Sequence, residues 1–239
     1  MRGEGPLLTL SVRTVAETGS TNADLLAEAR AGAPEGTWLR AEAQSGGRGR
    51  AGRIWLSPPG NLYASTIVRL HAGEPEAATL ALVAAVALEE VASAYTGAGR
   101  LQLKWPNDLM AGPAKLAGIL LERADDAVVI GFGVNLAHHP ENLERPTASF
   151  AALGQAAPDP GSFLIDLAEA LARWIARWRG EGLVPIRARW LERAHPVGSA
   201  LTACGTEGLF DGLDGDGGLL LRCADGAVET IRAGDVFLA

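Results

Sequence analysis

The sequence is poor in cysteine and has no long uncharged apolar run. Its two cysteines, Cys204 and Cys223, stand far apart among 239 residues and match no metal-ligand spacing, so we expect inert buried thiols. The longest uncharged apolar run, Leu80 to Leu88, is too short to span a bilayer, and the first residues do not have the pattern of a secretory signal peptide. These absences predict a soluble, cytoplasmic protein.

Positive charge is also scarce. The formal net charge is -7 at pH 7, which argues against binding of long nucleic acid, because phosphate backbones require a broad basic face. Only two of the 21 basic side chains are lysines, Lys104 and Lys115. Since arginine supplies every other cation, these lysines are candidates for positions where a compact ammonium is needed. We expect them to lie on adjacent strands, from which both can point into one cleft.

Apolar periodicity divides the chain into a larger mixed unit, residues 1–194, and a small all-β unit, residues 195–239. In the first unit it predicts strands at 7–17, 37–43, 61–70, 101–104, 116–123 and 127–136, and helices at 21–32, 76–95, 162–179 and 185–194. The second unit alternates short apolar runs with glycine and aspartate turns, which is typical of a barrel of SH3-like size.

The segment "QSGGRGRAGRIW", Gln44 to Trp55, holds four glycines and three arginines without an acid. Glycine lets the backbone approach a ligand, and arginine matches carboxylate or phosphate, so the segment predicts an anion-binding loop. It is not a P-loop, because Arg53 and Ile54 stand where lysine and a hydroxyl residue are required. The later "GFGVN" at Gly131 lacks the third glycine of a dinucleotide fingerprint.

Two further polar motifs allow more than one role. In "KWPND", Pro106 turns the chain and places Asn107 and Asp108 at a rim; Asp108 could hold magnesium, orient an incoming amine, or cap its own turn. In "GSTN", Gly19 to Asn22, the side chains suit a helix N-cap and also a small polar head group.

The order of these motifs, "GSTN", "QSGGRGRAGRIW", "GNLYAS", "KWPNDLM" with "KLAGIL", "GFGVN" and a terminal β module, resembles a biotin protein ligase over nearly the whole chain. The resemblance implies an α+β fold: a mixed-sheet catalytic domain like those of class II aminoacyl-tRNA synthetases and lipoate ligases, followed by a C-terminal SH3-like barrel. Fewer than twenty residues precede Gly19, so we expect the non-regulatory type without an N-terminal DNA-binding domain.

The resemblance also implies roles for particular residues. Catalysis would depend on Arg50, Lys115 and Asp108. The residues expected to bind biotin are Ser20, Thr21, Asn22, Gln44, Arg48, Gly49, Arg50 and Lys115. Those expected to bind ATP are Arg50, Arg53, Trp55, Lys104, Asn107, Asp108 and Asn135. No fixed protein metal site is expected, since magnesium would arrive with the nucleotide.

The implied reaction joins biotin and ATP into biotinyl-5'-AMP with loss of pyrophosphate, and then transfers biotin to a lysine of a biotin carboxyl carrier protein, that of acetyl-CoA carboxylase or of a related enzyme. Neither nucleic acid nor a membrane is an expected partner, and the chain is expected to be a monomer or a homodimer. Two alternatives stay open: a lipoate or octanoate ligase of the same fold, and a non-catalytic biotin-binding protein.

Overall fold

The computed structural model describes residues 11–97, 99–141, 143 and 145–238. Its larger unit is built on a seven-stranded sheet with the strand order β1-β2-β3-β7-β6-β5-β4. The strands are β1 (Ser11–Thr18), β2 (Thr37–Gln44), β3 (Leu62–Arg69), β4 (Leu101–Lys104), β5 (Asp108–Ala111), β6 (Ala114–Ala124) and β7 (Ala127–Val134). Only β1 and β2 pair in parallel, so the sheet is mixed, as predicted.

Helices cover the two faces of this sheet unequally. They are α1 (Thr21–Arg30), α2 (Leu80–Thr96), α3 (Pro160–Glu181) and α4 (Val184–Arg193). Helix α1 packs alone on one face, where Leu25 and Ala29 meet Ile67 and Val129 in a small apolar cluster. Helices α2 and α3 belong to the main core on the other face. The thinly covered face therefore has room for a ligand beside α1.

Helix α2 with its preceding 3-10 turn, Ala77–Thr96, is long and apolar enough to cross a membrane by length and composition. Two thirds of its most apolar part is buried inside the fold, where Val83, Ala87 and Val91 form part of the main core. Its hydropathy is thus explained by its position between the sheet and α3.

The C-terminal unit is a five-stranded antiparallel sheet with the order β11-β10-β9-β8-β12. Its strands are β8 (Ala200–Ala203), β9 (Thr206–Leu213), β10 (Leu219–Arg222), β11 (Val228–Ile231) and β12 (Val236–Leu238). Phe210 packs edge-on against Trp190 of α4, and Trp105 donates to the Gly217 carbonyl at 3.1 Å. These contacts join the module to the main core.

Three sequence expectations need correction or restriction. Strand β5 was not predicted, and because it lies between β4 and β6, the expectation that Lys104 and Lys115 occupy adjacent strands was wrong. Cys204 is exposed rather than buried, in the left-handed turn between β8 and β9. Residues 7–10 of the predicted first strand lie outside the described part of the chain.

A fully buried carboxylate links α2 to α4. Glu89 is 0% exposed, and its oxygens lie 2.8 Å from Arg189 Nη2 and 3.5 Å from Arg193 Nε. We expect Glu89→Ala to lower the free energy of unfolding by about 3–5 kcal/mol, because it removes the buried partner of the Arg189 guanidinium and leaves, among the described residues, only the exposed carboxylate of Glu192 near it. Urea denaturation measures this change.

Glu192→Ala is the matched control. The exposed Glu192 lies 3.5 Å from the same arginine, Arg189, and its loss is expected to change the free energy of unfolding by less than about 1 kcal/mol. Equal losses would contradict the role given to Glu89.

Candidate active site

The site lies on the α1 face of the sheet, where strand alternation leaves a floor of glycines. In β7, Phe132 and Val134 point into the main core, so Gly131 and Gly133 face the opposite side. Gly133 is the register partner of Gly118 in β6. The "GFG" motif therefore serves as a flat strand surface on which larger side chains can lie.

One of those side chains is Trp55. A Cβ atom added to Gly133 would lie 2.5 Å from Trp55 Cε2, and one added to Gly118 would lie 3.2 Å from Trp55 Cζ3. The ammonium of Lys115 stands 5.3 Å from the indole ring centroid, within cation–π distance. The indole Nε1 is buried against the glycine floor and has no acceptor among the described residues.

The "GSTN" motif begins α1 and holds a dense hydrogen-bond network. Ser20 is the N-cap, as expected, and accepts from the Ala23 amide. Gln44 Oε1 accepts from the Thr21 amide at 2.8 Å, and Thr21 Oγ1 lies 2.7 Å from Ser65 Oγ. This network anchors the end of β2 to the start of the helix, and both roles proposed for the motif are compatible with it.

Asn22 lies directly over Gly131, where any Cβ atom would overlap its amide oxygen. Ser65 Oγ donates to Asn22 Oδ1 at 2.6 Å, while Asn22 Nδ2 donates to Glu122 at 2.9 Å and to the Leu120 carbonyl at 3.3 Å. Because both ends of the amide have partners, the orientation of Asn22 is set by hydrogen bonds from two strands, β3 and β6.

The arginine-glycine loop folds back on itself between β2 and β3. The Gly49 amide donates to the Arg53 carbonyl at 2.7 Å, and the Trp55 amide donates to the Gly47 carbonyl at 2.9 Å. Gly52 has φ 72°, in the region that favours glycine. These bonds hold the loop backbone in a compact conformation, and its three arginines line the cavity described below.

Two of these arginines contact the C-terminal unit. Arg50 donates to Asn107 Oδ1 at 3.3 Å and to the Gly234 carbonyl at 3.1 Å. Arg53 forms a bidentate pair with Asp235, at 2.8 and 2.9 Å. Burial acts to raise the pKa of Asp235, but the hydrogen bonds and charge of Arg53 outweigh it and hold that pKa below its ordinary value. The loop is thus fastened to the turn between β11 and β12.

Asp108 is enclosed by the two lysines of the chain. Its carboxylate lies 2.6 Å from Lys115 Nζ and 3.5 Å from Lys104 Nζ, and it is 8% exposed. Burial lowers the pKa of Lys104 below its ordinary value, and the charge of Asp108 opposes that shift. The scarcity of lysine pointed to both residues, and the structure places them on one carboxylate.

A cavity of about 380 Å³ unites most of the predicted residues. Those at its wall are Ser20, Thr21, Asn22, Gln44, Arg48, Gly49, Arg50, Arg53, Trp55, Asn107, Lys115 and Asn135. Asp108 and Lys104 stand behind Lys115 rather than at this wall, and Lys104 lines a much smaller cavity near Trp190 and His195. Asn135 is buried and donates to the Ala148 carbonyl at 3.0 Å.

No group of three or more histidine, cysteine, aspartate or glutamate side chains suited to a metal occurs in the ranges that the structure covers. The carboxylates near the cavity, Asp108 and Asp235, are already paired with basic side chains. This donor set fits magnesium that is bound mainly by nucleotide phosphates.

Sequence reasoning missed several residues of the site. Ser65 and Glu122 orient Asn22, and Arg145 adds a cation to the cavity wall. Ile54 and Leu56 leave large apolar side chains at the rim, 82% and 57% exposed. The alternation of "GFG" on a strand was the available signal for the glycine floor, whereas the partners of Asn22 are distant in sequence.

Comparison with known proteins agrees with this geometry. The profile of the Biotin/lipoate A/B protein ligase family matches residues 16–135, and that of the Biotin protein ligase C terminal domain matches residues 205–239. Biotin--[acetyl-CoA-carboxylase] ligase from Paracoccus denitrificans is 41% identical over 93% of this chain and 98% of its own length. The ligase of the same name from Mycobacterium tuberculosis is 38% identical over 93% and 86%.

The fold has close neighbours among solved structures. Biotin protein ligase from Aquifex aeolicus, in complex with biotin and ATP, superposes with a TM-score of 0.86 at 24% identity, covering 96% of this chain and 99% of that one. The predicted α+β fold is therefore confirmed, including a C-terminal antiparallel sheet in agreement with the SH3-like module. From its motifs, its cavity and these relatives, we conclude that the chain belongs to the biotin/lipoate A/B protein ligase family, among the biotin protein ligases.

Proposed function

We infer that this protein is an ATP-dependent biotin protein ligase. The observation that carries this inference is a single cavity with neutral hydrogen-bonding side chains at one end and a cluster of cations at the other. Such a cavity suits a molecule with a polar, uncharged head and an anionic tail that must meet a second anion.

The neutral end is proposed to bind the ureido head of biotin. Ser20, Thr21, Asn22 and Gln44 supply hydroxyl and amide groups there, together with the Arg48 and Gly49 backbone of the loop. The hydrogen bonds from Thr21 and Ser65 support this role, because side chains held in one orientation lose little freedom on binding.

The cationic end is proposed to bind the carboxylate of biotin and the phosphates of ATP. Arg50 and Lys115 would contact the carboxylate and the α-phosphate, and Arg53 the remaining phosphates. Trp55 would flank the adenine, with Asn135 near its edge. Asn107 would serve the nucleotide with its magnesium and the attacking lysine, and Lys104 stands behind Asp108.

The first step would be attack of a biotin carboxylate oxygen on the α-phosphorus. The bond to the bridging oxygen breaks, and pyrophosphate leaves with the electron pair. Both reactants are anions, so Arg50 and Lys115 would lower the barrier by neutralising charge that grows on the α-phosphate. Asp108 would hold the Lys115 ammonium at this position through their 2.6 Å ion pair.

The second step would be attack of a carrier lysine on the acyl carbon of the adenylate. The amide bond forms, AMP leaves with the electron pair of the anhydride bond, and the amine loses a proton. We propose that Asp108 orients this amine or accepts its proton, because it is the carboxylate held directly behind Lys115.

The test is pyrophosphate release by the purified protein with ATP and magnesium, in the presence of biotin, of lipoate, or of no acid. We expect release with biotin alone. Release with lipoate alone would favour the lipoate or octanoate ligase, which shares the fold but has little use for the polar head-group residues. Binding of biotin without release would favour a non-catalytic biotin-binding protein.

Arg50→Gly is expected to release the reactive adenylate and to cause diffuse biotinylation of bystander proteins. Arg50 ties the loop to Asn107 and to the Gly234 carbonyl, so its loss frees the loop that covers the intermediate. Incubation with a protein of unrelated sequence, followed by avidin blotting, measures this labelling. Arg50→Lys keeps the charge without the forked donors and should label less. Labelling confined to the carrier lysine would contradict the proposal.

The partner implied by the relatives' names is a biotin carboxyl carrier protein. We propose that it belongs to acetyl-CoA carboxylase or a related biotin-dependent enzyme, and that the reaction takes place in the cytoplasm, where ATP is supplied. We further propose that the catalytic domain spans residues 1–194 and the SH3-like domain residues 195–239, because α4 ends at Arg193 and the next elements are strands.

A further inference from the structure

Arg145 is a cation of the cavity wall to which sequence analysis assigned no function. It follows β7 in the irregular segment before α3 and lines the same cavity as Arg50 and Arg53. Its side chain is 39% exposed and forms part of the cavity wall.

The C-terminal sheet holds Arg145 in place. Its guanidinium carbon lies 4.1 Å from the ring centroid of Phe237 on β12, and its Nη2 lies 3.6 Å from Asp235 Oδ2. Phe237 is 45% exposed, which is unusual for a large aromatic side chain. Stacking on the ring restricts the orientation of the guanidinium plane, so less conformational freedom is lost when the guanidinium binds an anion.

The carboxylate of Asp235 lies between two arginines. Arg53 donates to both of its oxygens, and Arg145 approaches Oδ2, while Arg50 donates to the neighbouring Gly234 carbonyl. Three cations thus converge on one turn that contains a single carboxylate. Forked arginine donors bind carboxylate and phosphate oxygens with the same geometry.

We propose that Arg145 is a further nucleotide-binding residue that contacts the pyrophosphate portion of ATP, with Phe237 as its positioning residue. Asp235 is the internal anion that the phosphates replace when the nucleotide binds. This inference rests on the proposed function and extends its phosphate site to a residue outside the arginine-glycine loop. It gives the C-terminal sheet a direct part in binding the leaving group.

The test compares nucleotides that have and lack the pyrophosphate portion. Calorimetry on the biotin-saturated protein with magnesium measures the Kd of α,β-methylene-ATP, which cannot release pyrophosphate, and the Kd of AMP. We expect Arg145→Met to raise the Kd of the triphosphate analogue about tenfold and that of AMP by less than about twofold. Phe237→Leu should give the same pattern with about a threefold effect.

Arg177→Met is the matched control, since Arg177 also lies over an aromatic ring, the indole of Trp174 at 5.2 Å, on α3 and away from the cavity wall. It should leave both Kd values unchanged, and thermal unfolding checks that each variant is folded. Equal weakening of both nucleotides by Arg145→Met, or weakening of neither, would overturn this inference alone. A folded wild-type protein that binds neither nucleotide would overturn the proposed function as well.

Discussion

Lys115→Ala is expected to lower the rate of biotin-dependent pyrophosphate release by about 10²–10³-fold. Lys115 lines the cavity, stands over Trp55 and is held by Asp108 at 2.6 Å, so its charge is fixed where the two anionic reactants meet. Removing it deletes a positive charge from the developing transition state and also leaves Asp108 with Lys104 at 3.5 Å as its remaining ion-pair partner.

The measurement is single-turnover pyrophosphate release at saturating biotin and ATP, so that altered affinity does not hide the chemical step. Arg123→Ala is the control on the same strand, since its exposed side chain donates to the Asp125 carbonyl away from the cavity wall. Near-normal pyrophosphate release by Lys115→Ala would contradict the proposal that Lys115 stabilises the transition state of adenylate formation. Lys115→Arg should not restore the rate, because a Cβ on Gly118 would already lie 3.0 Å from Lys115 Nζ, and the floor has little space for a guanidinium.

Gly133→Ala is expected to raise the Kd for nucleotide by about 10–100-fold. The added methyl group would lie 2.5 Å from Trp55 Cε2 and 2.6 Å from Nε1, and a rigid indole cannot relieve this overlap by rotating a terminal group. Trp55 must therefore leave the floor, and the cation–π contact with Lys115 is lost with it.

Calorimetric titration of the biotin-saturated protein with α,β-methylene-ATP measures this effect. Gly180→Ala is the matched control, because Gly180 lies inside α3 with open space around the Cβ position. It should leave the Kd unchanged and stabilise the protein by up to about 1 kcal/mol, since alanine favours the helix. An unchanged Kd for Gly133→Ala would show that the strands can shift to accommodate the methyl group, and that nucleotide binding does not depend on the contact between Trp55 and Gly133.

The elements most completely predicted are those with strong periodicity. The stripe Leu164, Leu167 and Leu171 predicted α3, because one buried face imposes its spacing on the sequence. Segment 61–70 was predicted as a strand without such a period, and β3 is buried along nearly its whole length. Strand β5 escaped prediction, since its first residue, Asp108, was assigned to the turn of the "KWPND" motif. It is formed by pairing with β4 and β6 on either side.

The sequence by itself determined the family, the order of all the larger elements except β5, and half of the residues that line the cavity, because its motifs resemble those of biotin protein ligases over nearly the whole chain. Only the tertiary structure decided which side chains meet. Asp108 stands between two lysines, Gly131 lies beneath Asn22, and Asp235 reaches Arg53 across 182 positions of the chain. Such contacts depend on strand order and on how the C-terminal sheet packs, and no local pattern encodes a distance between segments that meet only in the folded chain.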